Sequence, residues 1–392
     1  MVSTPPCWSA RLAQRATERR AAGLWRQRRH HAPGATRDFA GNDYLGLARE
    51  PCLIDAMADG ARRYGTGACA SHLVSGHLAV HEALECRLAE LVGRPRALLF
   101  STGYMANLGT LQALCDGHTQ VFQDRLNHAS LLDGAALAGA RSRRFHHQSL
   151  ADLDRLLARA PTDAPRLVVT DGVFSMDGDV ADIAGLASVS ARHSAWLMVD
   201  DAHGLGVLGE AGEGCVGRAH GVDEVPVLVG TLGKALGTGG AFVAGSEALI
   251  EHLIQFARPY VYTTAQPPGV AAATLAALDI LAAEPERRER LCTRIARFRA
   301  AAAGLGLPLM DSPTPIQPLV LGNGQRVLAW AARLAERGLA VGAIREPTVP
   351  RGQARLRITL SAAHSDADLD ALLDALAACQ AGEGDAAREA TP

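Results

Sequence analysis

Aromatic side chains make up only 4% of this 392-residue chain, and its charges nearly cancel, at a formal net −2. A chain so balanced has no electrostatic field with which to gather nucleic acid. Long apolar runs are missing too: none reaches the roughly 18 residues needed to cross a bilayer, so no membrane partner is expected. The eight cysteines (Cys7, Cys52, Cys69, Cys86, Cys115, Cys215, Cys292, Cys379) include no C-x-x-C pair and come without a secretory signal, which predicts reduced thiols in the cytoplasm. An Arg-rich, acid-poor stretch, Trp8–Arg29, superficially resembles an organelle transit peptide, but Glu18 and the lack of serine enrichment favour a structural arm. No internal repeat or low-complexity tract is present. Three signature motifs also fail. Gly233-Lys234 has Leu228 where a P-loop needs Gly and Ala235 where it needs Ser or Thr. His77-Leu78-Ala79-Val80-His81-Glu82 is not H-E-x-x-H, so these histidines, four apart on a predicted helix, read as capping or packing residues. No G-x-G-x-x-G follows the first strand, which argues against a non-catalytic, nucleotide-binding sheet protein.

What is present reads as a globular α/β protein. Hydrophobic content of 48% with 20% charged residues suits a packed interior, and the length predicts about two or three compact units. A helix is expected over Ser9–Arg29, broken by Pro33-Gly34. Beyond it helices alternate with short apolar strands: helix Val80–Val92, strand Ala97–Phe100, strand Thr119–Gln123, helix Ser130–Ala140, strand Leu167–Thr170, helix Ile183–His193 and strand Ala195–Val199. Val227–Gly230 and Gly240–Ala244 flank the Lys234 turn. This alternation predicts a mostly parallel sheet covered on both faces. After Pro285 the pattern becomes a smaller α+β unit, with helices Arg287–Ala303, Gln325–Arg337 and Ala367–Cys379 and strands Gln317–Leu321, Leu339–Ile344 and Arg355–Leu360. The expected organisation is an N-terminal arm (1–46), a large domain (47–284), a small C-terminal domain (285–381) and a frayed tail (382–392).

The stretch Trp196–Gly206 concentrates the chemistry. An apolar strand ends in Asp200-Asp201, then His203 and glycines, and in open parallel sheets ligands sit at such strand tips. Carboxylate and imidazole together could hold a metal, but no third and fourth ligands stand at convincing spacing. Lys234 offers a different chemistry, because an amine in a Gly-rich turn after a strand can form a Schiff base with an aldehyde cofactor. Pyridoxal phosphate would need a carboxylate to keep its ring nitrogen protonated, a part that suits Asp200, while His203 could bond the phenolate. Ser175, Thr231 and the N–H groups near Gly103 and Tyr104, where a helix begins after a strand, could hold its phosphate. His128, ahead of a helix starting near Ser130, could stack on the ring, although a lone His is most often structural. Gly65–His72 is a loop of small residues, equally readable as surface.

Several segments together resemble the α-oxoamine synthases, fold-type I pyridoxal-phosphate enzymes. They are Asn42-Asp43-Tyr44-Leu45-Gly46-Leu47, the Gly103-Tyr104-x-Ala106-Asn107 turn, Asp124 to Ser130, Asp171 to Asp179, Val199 to Gly204, and Thr231-Leu232-Gly233-Lys234. They follow the family's order over nearly the whole chain. The resemblance implies an α/β fold: a mostly parallel central sheet flanked by helices, an N-terminal helical arm and a smaller α+β C-terminal domain. It makes Lys234 the Schiff-base lysine, Asp200 the pyridinium partner, His203 the phenolate partner and His128 the stacking residue. Gly103, Tyr104, Ser175 and Thr231 match cofactor-binding positions. Thr263 and Thr264 match the segment that reaches a neighbouring subunit's phosphate, so a homodimer is implied. Arg345 and Thr348 match the substrate-carboxylate side, Arg26 a substrate-binding arginine, and Asn42 lies in a substrate-facing motif. Within the family, Ser75-Gly76-His77 with His81 to Glu85, Ile316 to Leu319, and Arg345 to Pro350 are similar to the biotin-pathway member. That member joins L-alanine to a pimeloyl thioester, carried on CoA or an acyl carrier protein, with loss of carbon dioxide. Asp171 stands where some members have Glu. A sister activity uses glycine and acetyl-CoA. Lys234 is expected to move the α-proton and His128 to assist decarboxylation; no metal is expected.

Overall fold

The computed structural model describes residues 7–26, 28, 34 and 36–389, with backbone alone for 384–389. It forms two compact units, one ending at Arg37 and one beginning at Asp38. In the first, a helix runs over Trp8–Ala21 and buries none of its residues. It stops well before Arg29, because Gly23 adopts φ +66° just past its end, and a left-handed residue there closes a helix. Pro33, expected to break that helix, lies outside the described residues.

The strands are β1 (Arg37–Phe39), β2 (Arg96–Phe100), β3 (Gln120–Asp124), β4 (Arg141–Phe145), β5 (Arg166–Asp171), β6 (Trp196–Asp200), β7 (Val227–Thr231), β8 (Ala241–Gly245), β9 (Ile316–Gly322), β10 (Leu339–Ile344) and β11 (Ala354–Thr359). Seven of them form one sheet in the order β2-β8-β7-β6-β5-β3-β4. Strands β4, β3, β5, β6 and β7 run parallel, while β8 pairs antiparallel with both of its neighbours. The parallel strands are apolar on both faces because helices cover both, so Val121, Val168, Val199 and Val229 are all almost fully buried. Strand β4, Arg-Ser-Arg-Arg-Phe, was not anticipated: it is an exposed edge whose charges guard the sheet against further pairing.

Parallel pairing puts the ends of β3, β5, β6 and β7 on one side of the sheet. In register, Asp171 lies beside Asp200, and Asp200 beside Val229. Helices Gly103–Leu114 and Ala129–Leu137 both start at that side, their first turns capped by Thr102 Oγ1, which accepts from Met105 N–H at 3.1 Å, and by His128. Behind β7 the chain turns tightly at Gly237, where φ is +67° and a Cβ would come within 2.5 Å of Ala48 N. Only glycine fits there, and this close approach fixes the turn that carries Lys234.

The smaller sheet has the order β1-β10-β11-β9, and its pairings of β11 with β10 and β9 are antiparallel. Strand β1 precedes residue 46, so a segment assigned to the arm supplies an edge of this sheet. The last helix, Asp366–Glu389, runs past 381 instead of fraying: Glu383 accepts from Arg326 Nη2 at 2.6 Å and from Trp330 Nε1 at 2.7 Å. No described helix is long and apolar enough to cross a membrane.

Candidate active site

The tips of the parallel strands gather titratable groups close enough to alter one another's protonation. Lys234 follows β7 and is half-buried; among the described residues it makes no hydrogen bond or ion pair. Burial lowers its pKa to about 8, with Asp200 and Asp171 pulling the other way and Arg357 adding to the fall. An unpaired amine is costly to hold in such a place, and its depressed basicity makes it a nucleophile near neutrality.

Asp200, 6% exposed, ends β6. Its Oδ2 accepts from Asn107 Nδ2 at 2.6 Å and its Oδ1 from Ala202 N–H at 3.1 Å. Neighbouring Asp171 is held well above the usual carboxylate range, first by burial and then by the charge of Asp200; its Oδ2 accepts from His128 N–H at 2.7 Å. His203 is buried and kept neutral, first by burial and then by Lys234, Arg357 and His128. Its Nδ1 lies 2.5 Å from Tyr44 Oη, whose own pKa burial pushes up to about 12. His128 is exposed at the surface of the site, its Nδ1 2.8 Å from Ser130 Oγ, and desolvation leads the lowering of its pKa.

Asp201, left without a role by the sequence, is fully enclosed. Burial raises its carboxyl to about 7 even though Oδ2 accepts from Cys215 N–H at 2.7 Å. It ties the turn carrying His203 to the glycine loop that follows. At Gly214, φ is +97° and a Cβ would stand 1.9 Å from Asp201 Oδ2.

An anion cradle lies alongside. In the first turn of helix Gly103–Leu114, Thr102 takes the N–H groups of Met105 and Ala106, leaving those of Gly103 and Tyr104 without a partner among the described residues. A Cβ on Gly103 would be 4.0 Å from Thr231 Oγ1, so the two positions stand close to each other. Thr231 Oγ1 donates to Gly240 O at 3.0 Å, and Ser175 O accepts from Arg357 Nε at 2.6 Å. Tyr104 Oη is bonded to Asp133. Lys234, Asp200, His203 and this helix start together fit a flat, phosphate-bearing aldehyde with a basic ring nitrogen.

Some expected residues lie farther out. Thr264 bridges Ser71, and Thr263 stands beside it, half-exposed, on a segment that leads to Gln266 against Gly239. Arg345 sits on the turn after β10, where its carbonyl accepts from Thr348 N–H at 3.0 Å. The guanidinium that acts on Lys234 and His203 is instead Arg357, on β11, 6% exposed. It donates through Nη2 to Asn42 Oδ1 at 3.1 Å and through Nη1 to Thr359 Oγ1 at 2.9 Å. Arg26 belongs to the N-terminal unit.

The paired histidines are corrected: His77 follows a single π-turn, His72–Gly76, and only His81 is on the helix Ala79–Leu91. His72, His77 and His81 approach closely enough to suggest a metal. However, His81 accepts from Leu78 N–H through Nδ1 and meets Gln266 O through Nε2, at 3.0 and 2.8 Å, so both its nitrogens are engaged. His72 Nδ1 faces His77 Nδ1 at 2.9 Å, and His77 Nε2 faces Glu82, which completes a hydrogen-bonded chain. His81 is therefore a capping histidine.

With this geometry in place, the class follows. A family model described as "Aminotransferase class I and II" matches residues 37–376, and the chain belongs to that family and, within it, to the α-oxoamine synthases. An 8-amino-7-oxononanoate synthase of Chromohalobacter salexigens is 73% identical over 377 residues, covering 96% of this chain and 98% of the relative. One from Pseudomonas putida is 59% identical, with 94% and 97% covered. Among solved structures, a Sphingomonas wittichii serine palmitoyltransferase superposes with TM-score 0.90 at 31% identity, over 97% of this chain and 99% of that one. The 8-amino-7-oxononanoate synthase of Francisella tularensis gives 0.77 at 32% identity, over 89% and 98%.

Proposed function

We propose that this chain carries out the reaction of its 8-amino-7-oxononanoate synthase relatives: pyridoxal-phosphate-dependent condensation of L-alanine with a pimeloyl thioester, releasing thiol and carbon dioxide, in biotin biosynthesis. The observation that carries the chemistry is Lys234, an unpaired, half-buried amine with a pKa near 8 at the tip of the sheet beside Asp200. The choice of substrates rests on the 73% identity to a synthase of that name.

When bound, pyridoxal phosphate supplies an electron sink for negative charge on the amino acid's α-carbon. The chain's own residues do the rest. Lys234 Nζ holds the cofactor aldehyde and afterwards takes the α-proton as a base. Asp200 keeps the ring nitrogen protonated, and Asn107 in turn steadies the carboxylate. His203 bonds the phenolate side. Thr231, Ser175 and the N–H groups of Gly103 and Tyr104 hold the phosphate, joined by Thr263 and Thr264 from a second copy in a homodimer. Arg357, with Asn42, receives the alanine carboxylate, and a guanidinium is the group best shaped for it. His128 would stack on the cofactor ring and assist loss of the carboxylate. Arg345, Thr348 and Arg26 are assigned to the substrate side. The acyl donor rides on CoA or on a carrier protein, and the enzyme works in the cytoplasm. The large domain spans 47–284 and the small domain begins at 285, completed by β1 and by the last helix beyond 381.

Free thiol and carbon dioxide measured with alanine plus pimeloyl-CoA, against glycine plus acetyl-CoA, test this. Release with the first pair and little with the second is expected. Preference for glycine and acetyl-CoA would overturn the substrate assignment, and release with neither pair nor with a pimeloyl carrier protein would overturn the activity.

A further inference from the structure

Asn107 and Ser130 are both almost fully buried, at 1% and 0% exposure, and they link Asp200 to His128. Asn107 Nδ2 donates to Asp200 Oδ2 at 2.6 Å and to Ser130 Oγ at 2.9 Å. Ser130 Oγ is in turn 2.8 Å from His128 Nδ1. The direction of this chain follows from proton counting. Asp200 is an acceptor, so the amide must turn its NH2 toward it; the flipped amide would set oxygen against oxygen. The second amide hydrogen then points at Ser130 Oγ, which must accept it. The single hydroxyl hydrogen is left for His128 Nδ1, and Ser130 N–H adds a weaker contact to the same atom at 3.3 Å. His128 Nδ1 thus receives hydrogen bonds and donates none. The arrangement leaves Asn107 Oδ1 buried and unpaired among the described residues, a cost accepted so that the NH2 can face Asp200.

We propose that Asn107 and Ser130 are positioning residues that lock neutral His128 in the tautomer with its proton on Nε2. The exposed nitrogen of His128 then presents a hydrogen-bond donor, not a lone pair, to the substrate. This rests on the reading of His128 as substrate-facing, and it sharpens that reading. His128 steadies an anionic oxygen of the substrate by donation and does not remove a proton, a task left to Lys234. The same amide holds Asp200 and, through Ser130, orients His128.

The test is the ring tautomer of His128 in cofactor-loaded, 15N-histidine-labelled protein, read from a long-range 1H–15N spectrum and assigned by its loss in His128→Gln. The expected wild-type signal is the Nε2–H form. Ser130→Ala and Asn107→Ala should mix the tautomers and lower kcat roughly tenfold, the scale of one charge-assisted hydrogen bond. The KM for the amino acid should hardly change. Ser130→Thr, which keeps the hydroxyl, should restore both tautomer and kcat. An Nδ1–H form in the wild type would overturn the proposal without any variant, as would an unmoved tautomer in both alanine variants. The spectrum reports on His128 whatever the enzyme turns over, so failure of the substrate assignment and failure of this network are seen separately.

Discussion

At the scale of residues, the site works by controlling where protons sit. Burial strips Lys234 of its usual basicity, keeps His203 neutral and, with the charge of Asp200, holds Asp171 well above the usual carboxylate range. Arg357 adds a fixed positive charge that needs a negative partner from outside, because its contacts are to a carbonyl, a hydroxyl and an amide oxygen. Arg357→Gln is accordingly expected to raise the KM for alanine by roughly ten- to a hundredfold, the scale of a hydrogen-bonded charge, with a smaller change in kcat. Steady-state kinetics across alanine concentrations check this; an unchanged KM would move the carboxylate site elsewhere. Asp200, His203 and Lys234 were legible because a polar residue at the end of an apolar strand is conspicuous. Arg357 was not: in Ala-Arg-Leu-Arg-Ile-Thr the alternation reads as a half-exposed strand, yet both arginines face inward. Asn107 stands within a recognisable motif but carries no charge to mark its contacts.

At the scale of elements, strands place the groups and turns hold them. The Asp201 clamp is one such hold, and Gly214 is where it admits no side chain. Gly214→Ala should destabilise the loaded protein by about 2–3 kcal/mol through the left-handed φ and the clash with the carboxylate. Denaturant unfolding measures it, and a neutral result would contradict the clamp. A second hold lies at the tips of β3 and β4. His147 is bracketed by Asp124 at 2.9 Å and Asp179 at 2.7 Å. Burial opposes its charge, but the two carboxylates more than reverse that and carry its pKa from 6.5 to about 10. Because the folded value is raised, this triad stabilises fully below about pH 6.5 and its contribution is lost as pH climbs through about 10. His147→Asn should cost about 3 kcal/mol at pH 6, the scale of breaking a buried ion pair, and less as pH nears 10. Melting curves of both proteins across that range decide it; a constant gap would contradict the ion-pair reading. Helix Pro268–Ala283 escaped the sequence analysis for a physical reason. It is apolar all round, buried on most sides, and shows no stripe for a 3.6-residue period to reveal.

At the scale of the whole molecule, the order of helices and strands was enough to predict a mostly parallel sheet, because that alternation leaves few other ways to cover apolar strands. Less visible was how the pieces close on one another. Strand β1 lies more than two hundred residues before its partner β10 in the chain, and no local pattern announces such a pairing. It matters because β11, which carries Arg357, belongs to the same sheet, and Arg357 reaches Asn42 only a few positions after β1. The small sheet is thereby part of the site.

The central claim is that Lys234 is the amine that captures the cofactor. Cofactor-free protein mixed with pyridoxal phosphate, reduced with borohydride and digested should carry the label on the peptide containing Lys234. The rate of capture should rise between roughly pH 7 and 9, following the amine's pKa of about 8. Label on another lysine, or equal labelling of a Lys234→Ala variant, would contradict the account.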